Sequence, residues 1–284
     1  METLLQGLIL GGLYALFALG QSLIFGVMRM TNTAHGDFII LGSFIALSFA
    51  MLGMSPWLAL CVTLPITWLL GYVLQRYVLN RTLGKDPLPS LVVTFGLSIV
   101  IQNMLLELYS ADPRAIDTEG FNSMSWSLGD GIAVGVLPML ILALALIATS
   151  GLQWVFNRTD LGRSFRAVSD DPEIAELMGL NSRKVYAKAT ALAFVLVGIA
   201  GALQAMRTTV APADGPMLLL FAFEAVIVGG MGSFWGTLAG AMLLGLTQQV
   251  GFRLDPGWGI WAGHLMFLLV LVLRPQGLFP KTRG

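Results

Sequence analysis

The feature that most constrains this chain is a recurrence of uninterrupted apolar stretches, each about 20 residues long, from one end to the other. A hydrocarbon core about 30 Å thick is crossed by roughly 20 helical residues. Stretches of that kind fall at about 4–27, 37–54, 57–79, 89–109, 131–155, 188–206, 217–235, 237–252 and 257–273. They predict an all-α integral membrane protein, a polytopic bundle of eight or nine transmembrane helices. The short, Gly-rich segments between 217 and 252 leave open whether one of them enters and leaves on the same side. The runs are continuous and do not alternate every second residue, which disfavours a β-barrel. Composition agrees, with 56% of residues hydrophobic and 11% charged, too apolar for a polar surface to cover a soluble core. Every polar gap is bounded by another apolar run, so residues 1–284 read as one membrane domain.

The first stretch follows Glu2 with no basic residue before it and is too long for a secretory signal, so it reads as a retained span. Charge is balanced overall but not in placement. Thirteen of the sixteen basic residues, including Arg76, Lys85, Arg158, Arg183, Arg274, Lys281 and Arg283, fall on one side, leaving Arg114, Arg207 and Arg253 for the other. Basic residues near span ends mark the cytoplasm. The N-terminus is then outside, the C-terminus is cytoplasmic, and the acidic loop at about 110–130, with Asp112, Asp117, Glu119 and Asp130, is external. The lone Cys61 lies within a predicted span, where a packing role is expected and no intrachain disulfide is possible.

The largest inner gap, at about 156–187, contains a charged island. Pro172 at a first-turn position, preceded by Asp170 and Asp171 as candidate caps and followed by Glu173 and Glu176, predicts a short helix that Gly179 ends. Ile174, Leu177 and Met178 share one face of it, with Ala175 and Leu180 completing the segment. So short a helix is marginal alone. Its apolar face needs either its own bundle, the lipid headgroups or a groove on a separate cytoplasmic protein. The chain has no GxxxxGK[ST] loop, and the nearest fragment, Gly84 and Lys85, runs on into Asp86. An ATP-driven process would therefore need its ATPase on another subunit.

Within the spans, His35 and Asp37 flank Gly36 close to Asn32 where the first span gives way to the second. A carboxylate in hydrocarbon costs about 2.5–3.5 kcal/mol on insertion scales. Asp37 is thus expected at the interface, or paired with His35, Asn32 or an Arg, and the cluster either caps the second helix or serves as a gate. Glu224 sits in an otherwise apolar run and must be protonated, paired or wet, as a structural hydrogen bond or a lining of the path. Gly229, Gly230 and Gly232 mark a break that is either tight helix packing or a hinge. His264 reads as a bundle-facing hydrogen-bonder. Two distant histidines and scattered carboxylates make no metal site. The seven tryptophans mostly lie near span ends, as an interfacial belt requires; Trp126 in the outer loop is the exception.

Four stretches together resemble one family: NTAHGDF at 32–38, TDLGRSFRAVSDDPEIAELMGLNSRKV at 159–185, AFEAVIVGGMGSFWGTLAGA at 222–241 and RPQGLFP at 274–280. The chain resembles, over nearly its whole length, the membrane permease subunits of ATP-binding-cassette importers for branched-chain amino acids, the LivH-like branch. The resemblance implies that Asp170 to Leu180 is a coupling helix resting in a cleft of the ATPase. It also implies a bacterial or archaeal inner membrane, a second, LivM-like permease subunit, two cytoplasmic ATPase subunits and an extracytoplasmic substrate-binding protein. No cofactor and no nucleic acid are expected, and no chemistry of the chain's own. Relatives that carry urea, short amides or other small solutes keep the solute open. Two other classes compete: an ion-coupled secondary transporter, with Glu224 or Asp37 carrying a proton, and a membrane enzyme, which lacks a convincing nucleophile or acid and base pair.

Overall fold

The computed structural model describes residues 2–84, 86–127 and 133–279. Lys85, Asp130, Lys281 and Arg283, which enter the charge argument, lie outside them, as does Pro280 of the closing motif. Among the described residues, nine apolar helices match the nine hydrophobic stretches. They are α1 (Glu2–Met28), α2 (His35–Met51), α3 (Pro56–Tyr77), α4 (Leu88–Tyr109), α5 (Val136–Arg158), α8 (Ser182–Arg207), α9 (Gly215–Gly229), α10 (Phe234–Leu254) and α11 (Trp258–Leu273). Two shorter helices, α6 (Asp160–Asp170) and α7 (Pro172–Leu177), fill the inner gap; β1 (Ser125–Ser127) in the outer gap pairs antiparallel with β2 (Ala133–Gly135), which takes the first residues of the stretch read as 131–155, so that its helix begins only at Val136. By length and composition α1, α3, α4, α5, α8 and α9 with its preceding turn could each cross a membrane; α2 and α11 are apolar but shorter.

Two helices form the centre. Nearly every side chain of α1 from Leu13 to Ile24 is buried, and α8 is buried along most of its length. A helix buried all round can meet its neighbours closely only if its surface is small. A Cβ on Gly245 of α10 would strike the backbone of Gly11 in α1, and one on Gly201 of α8 would strike the backbone of α2 at Ile39 and Ser43. At the second crossing Ser43 Oγ donates to the Gly201 carbonyl at 2.7 Å. The periphery is different. In α4 only the stripe Ser90, Thr94, Ser98, Ile101 and Leu105 is buried, while Val92, Phe95, Val100 and Leu108 face outward. Apolar side chains that face outward on α3, α4, α5 and α11 suit a lipid environment. Cys61 is exposed on α3, contrary to the packing role expected of it, because that helix buries only one narrow stripe.

Hydrogen bonds define two ends of the bundle. At one, Ser169 Oγ donates to the Gly26 carbonyl (2.8 Å), Asn80 Nδ2 to the Arg183 carbonyl (3.0 Å) and Leu278 N to the Val228 carbonyl (2.8 Å). At the other, Arg114 and Val210 exchange backbone bonds of 3.0 and 2.8 Å, and Asn122 Nδ2 donates to the Met206 carbonyl (2.6 Å). The inner gap and the outer loop thus lie at opposite ends.

Candidate functional site

The island is two helices, where the sequence predicts one. Asp170 ends α6, so it caps nothing; Asp171 alone is the N-cap of α7, its Oδ1 accepting from Glu173 N (2.9 Å) and Ile174 N (3.0 Å). Gly179 follows the helix at φ +88°, a conformation glycine adopts without strain, and Leu180 N and Gly179 N return to the Ala175 and Glu176 carbonyls at 3.0 Å each. Both ends of a helix of six residues are therefore capped.

What holds the island to the bundle is α6. Thr159 Oγ1 accepts from Gly162 N at 3.1 Å, Gly162 is pressed on the backbone of Val155 and Phe156, and Phe165 and Val168 are buried. The rings of Phe156 and Phe165 are 5.8 Å apart, and Phe156 meets Phe234 of α10 edge-on at 5.0 Å. On α7 only Ala175 is buried. Ile174, Leu177 and Met178 are 59%, 87% and 81% exposed. Of the three covers open to this face, its own bundle does not supply one.

The buried polar residues form separate groups. Asn32 Oδ1 accepts from Ala34 N (3.0 Å), and His35 Nε2 donates to the Phe17 carbonyl (2.8 Å), a partner that can only accept. Ala34, with no side-chain cap bond, precedes α2, so neither Asn32 nor His35 caps it as the sequence suggested. Asp37 lies in the first turn of α2, is buried, and is bonded to neither His35, Asn32 nor an arginine. Its partner is Gln102 of α4, whose Nε2 donates to Asp37 Oδ1 at 2.8 Å and to Ser98 Oγ at 3.1 Å. The reason is helix placement: α4 lies beside α2 with its polar stripe turned inward. Asn32 Nδ2, His35 Nδ1 and Asp37 Oδ2 have no partner among the described residues.

Glu224 of α9 is paired. Its Oε1 is 2.5 Å from His264 Nδ1 of α11, with the carboxylate 2% and the imidazole 31% exposed. Phe221 stacks on Tyr14 at 4.8 Å and lies 6.3 Å from the His264 ring, and Tyr14 Oη donates to Gln248 Oε1 at 2.6 Å. Gln21, on α1, is fully buried with both amide atoms unpartnered among the described residues. Sequence reasoning passed over Gln102, Ser98, Tyr14, Gln21 and Gln248. The available signal was polar side chains one turn apart in apolar runs, as in Ser98 and Gln102.

At the glycine break, Gly229 and Gly236 each press on the other's carbonyl, and Gly230 (φ +101°) and Gly232 (φ +84°) make the turn. The span read as 217–235 therefore stops at Gly229. The closing motif completes this turn: Leu278 N and Phe279 N donate to the Val228 and Gly229 carbonyls at 2.8 and 3.0 Å, satisfying the orphan acceptors of a helix end.

A helical bundle with outward apolar faces and glycine-mediated core crossings defines a multi-pass membrane protein. The chain belongs to the family described as "Branched-chain amino acid transport system / permease component", whose model matches residues 3–273. It is 30% identical to the high-affinity branched-chain amino acid transport system permease protein BraD of Pseudomonas aeruginosa, over 99% of this chain and 96% of that one. It is 24% identical to LivH of Escherichia coli, over 99% and 96%. A third relative, the fructose import permease protein FrcC of Rhizobium meliloti, is 28% identical over 94% of this chain and 80% of its own.

Proposed function

We propose that this chain is one pore-forming subunit of an ATP-binding-cassette importer for branched-chain, hydrophobic amino acids. All nine apolar helices cross the membrane in this reading, residues 1–284 form one transmembrane domain, and the N-terminus is outside with α6 and α7 in the cytoplasm of a bacterial or archaeal cell. A second permease subunit completes the path, two soluble ATPases supply the force, and an external binding protein delivers the solute. The observation that carries this reading is the uncovered apolar face of α7, held by capped ends on the anchored α6. Replacing Ile174, Leu177 and Met178 together with Asp is expected to abolish ATPase co-purification while the permease still inserts; unchanged co-purification would overturn the assignment.

Within the membrane, Asn32, His35, Asp37, Glu224 and the Gly229, Gly230 and Gly232 turn are proposed to line or gate the path. For Glu224, within the apolar run of α9, the magnitudes favour this over a purely stabilising role. A central carboxylate costs about 2.5–3.5 kcal/mol to insert, whereas hydrogen bonds between membrane helices average about 0.6 kcal/mol. The FrcC match supports a second reading of the solute, since a relative of similar identity imports a sugar. Titrating the cognate binding protein with leucine, urea, short amides and fructose decides between them. A proton-coupled carrier using Glu224 or Asp37 is tested by proteoliposomes: uptake by this chain alone under a proton gradient would establish it and remove the need for an ATPase.

A further inference from the structure

At the end of the bundle away from α7, the N-terminal turns of α1, strand β2, the first turn of α5, the end of α8 and the C-terminal part of α10 border a partly open cavity of about 310 Å³. Its walls carry both signs of charge, the carboxylate of Glu2 and the guanidinium of Arg207, together with the amides of Gln6 and Gln249 and the apolar Ile9 and Pro138. The acidic wall is braced: Gln6 Nε2 donates to Glu2 Oε1 at 3.0 Å, and Gln249 Nε2 donates to Gln6 Oε1 at 2.6 Å. Arg207 is different. It is half-buried and, among the described residues, enters no ion pair. Its position in the last turn of α8 suits the negative end of the helix dipole, but a dipole does not engage the fork of five N–H donors that a guanidinium presents.

The depth of the cavity follows from its walls. Glu2, Pro138 and Arg207 all lie within a turn of a helix end, which is the level of the lipid headgroups, while Ile9 lies about 10 Å deeper along α1 at 1.5 Å per residue. A ligand matching these walls has an oxyanion for Arg207, a hydrogen-bonding cation for Glu2 and an apolar portion for Leu5, Ile9, Leu10 and Pro138.

We propose that this cavity binds the phosphoethanolamine headgroup of a membrane phospholipid, with the phosphate against Arg207, the primary ammonium against Glu2 and the glycerol and upper acyl chain along Ile9 and Pro138. The assignment needs only that these helix ends lie at the bilayer surface; it holds whatever solute the permease carries and whichever ATPase it engages. The primary ammonium donates three hydrogen bonds, and a choline group donates none. Phosphatidylglycerol has the phosphate but no cation. The site should therefore prefer phosphatidylethanolamine to both.

The test uses the delipidated full-length chain in neutral detergent, with binding read by native mass spectrometry and thermal unfolding. Phosphatidylethanolamine is expected to bind at least about tenfold more tightly than phosphatidylcholine or phosphatidylglycerol, the factor one charge-assisted hydrogen bond supplies. Arg207→Gln should weaken it by about tenfold or more, and Arg207→Lys by less. Glu2→Gln should remove the preference over phosphatidylcholine; this exposed first-turn change leaves the fold intact and keeps the test decisive if Arg207→Gln does not fold. Equal binding of the three lipids, or unchanged selectivity in Glu2→Gln, overturns the proposal. Soluble O-phosphoethanolamine should compete only weakly. If it binds as tightly as the lipid, or if free leucine protects the site through Arg207, the lipid is not the ligand.

Discussion

The cost of each buried polar group depends on its partner. Asp37 has one, the amide of Gln102, and a buried acceptor stripped of its donor costs about 1–3 kcal/mol. Gln102→Leu should therefore lower the thermal stability of the purified chain more than Asp37→Asn, which leaves an amide that can still accept from Gln102. Thermal unfolding in detergent reads the order directly, and the reverse order would show that this bond does not hold α4 to α2. Neither this pair nor Glu224 with His264 was legible in the sequence. Asp37 and Glu224 were conspicuous as carboxylates in apolar runs, but their partners lie 65 and 40 residues away. Which helix face meets which is set by packing, and hydropathy does not encode it. The sequence accordingly marked the residues in need of a partner, but Gln102 was not among the partners it offered Asp37.

Helices were far more legible. Their lengths follow from bilayer thickness, and all nine hydrophobic stretches match helices whose ends differ from the reading by a few residues. The exceptions are instructive. Helix α6 was missed because it is short and largely polar, its inward face reduced to Gly162, Phe165 and Val168. Helix α7 was legible because Asp171, Pro172 and Gly179 are local signals needing no tertiary partner. Its stability is local as well. Asp171→Ala removes a cap worth about 0.5–2 kcal/mol, a large share for six residues. Hydrogen exchange at Glu173 and Ile174 should accelerate about tenfold while α6 and α8 stay protected; unchanged exchange would mean that contacts elsewhere hold α7. Glycines separate by the same logic. Gly245→Val forces α10 off α1 and should cost about 1–3 kcal/mol or more, whereas Gly96→Ala on the open face of α4, where nothing lies within 4 Å, should be neutral or slightly stabilising. Equal loss of thermal stability in both would contradict the role given to the α1 and α10 crossing.

At the scale of the whole molecule, the exposed face of α7 lies at the end where several elements are bonded together. The end that carries α7 gathers the α6 anchor, the α9 and α10 turn and the closing segment bonded to Val228 and Gly229. Gly26 in α1 lies against Gly232 in that turn, so displacement of α6, which is bonded to Gly26, meets the turn within one or two contacts. This continuity is what a force applied at α7 would need in order to reach the membrane helices. The proposal that a soluble ATPase grips this permease at α7 rests on it. The most direct measurement places a photo-reactive phenylalanine at Leu177, the most exposed of the three apolar side chains, in the assembled transporter in native membranes, and identifies what it attaches to on illumination. Adducts to the cytoplasmic ATPase subunit are expected. Attachment only to lipid, to the external binding protein or to this chain itself would contradict the proposal.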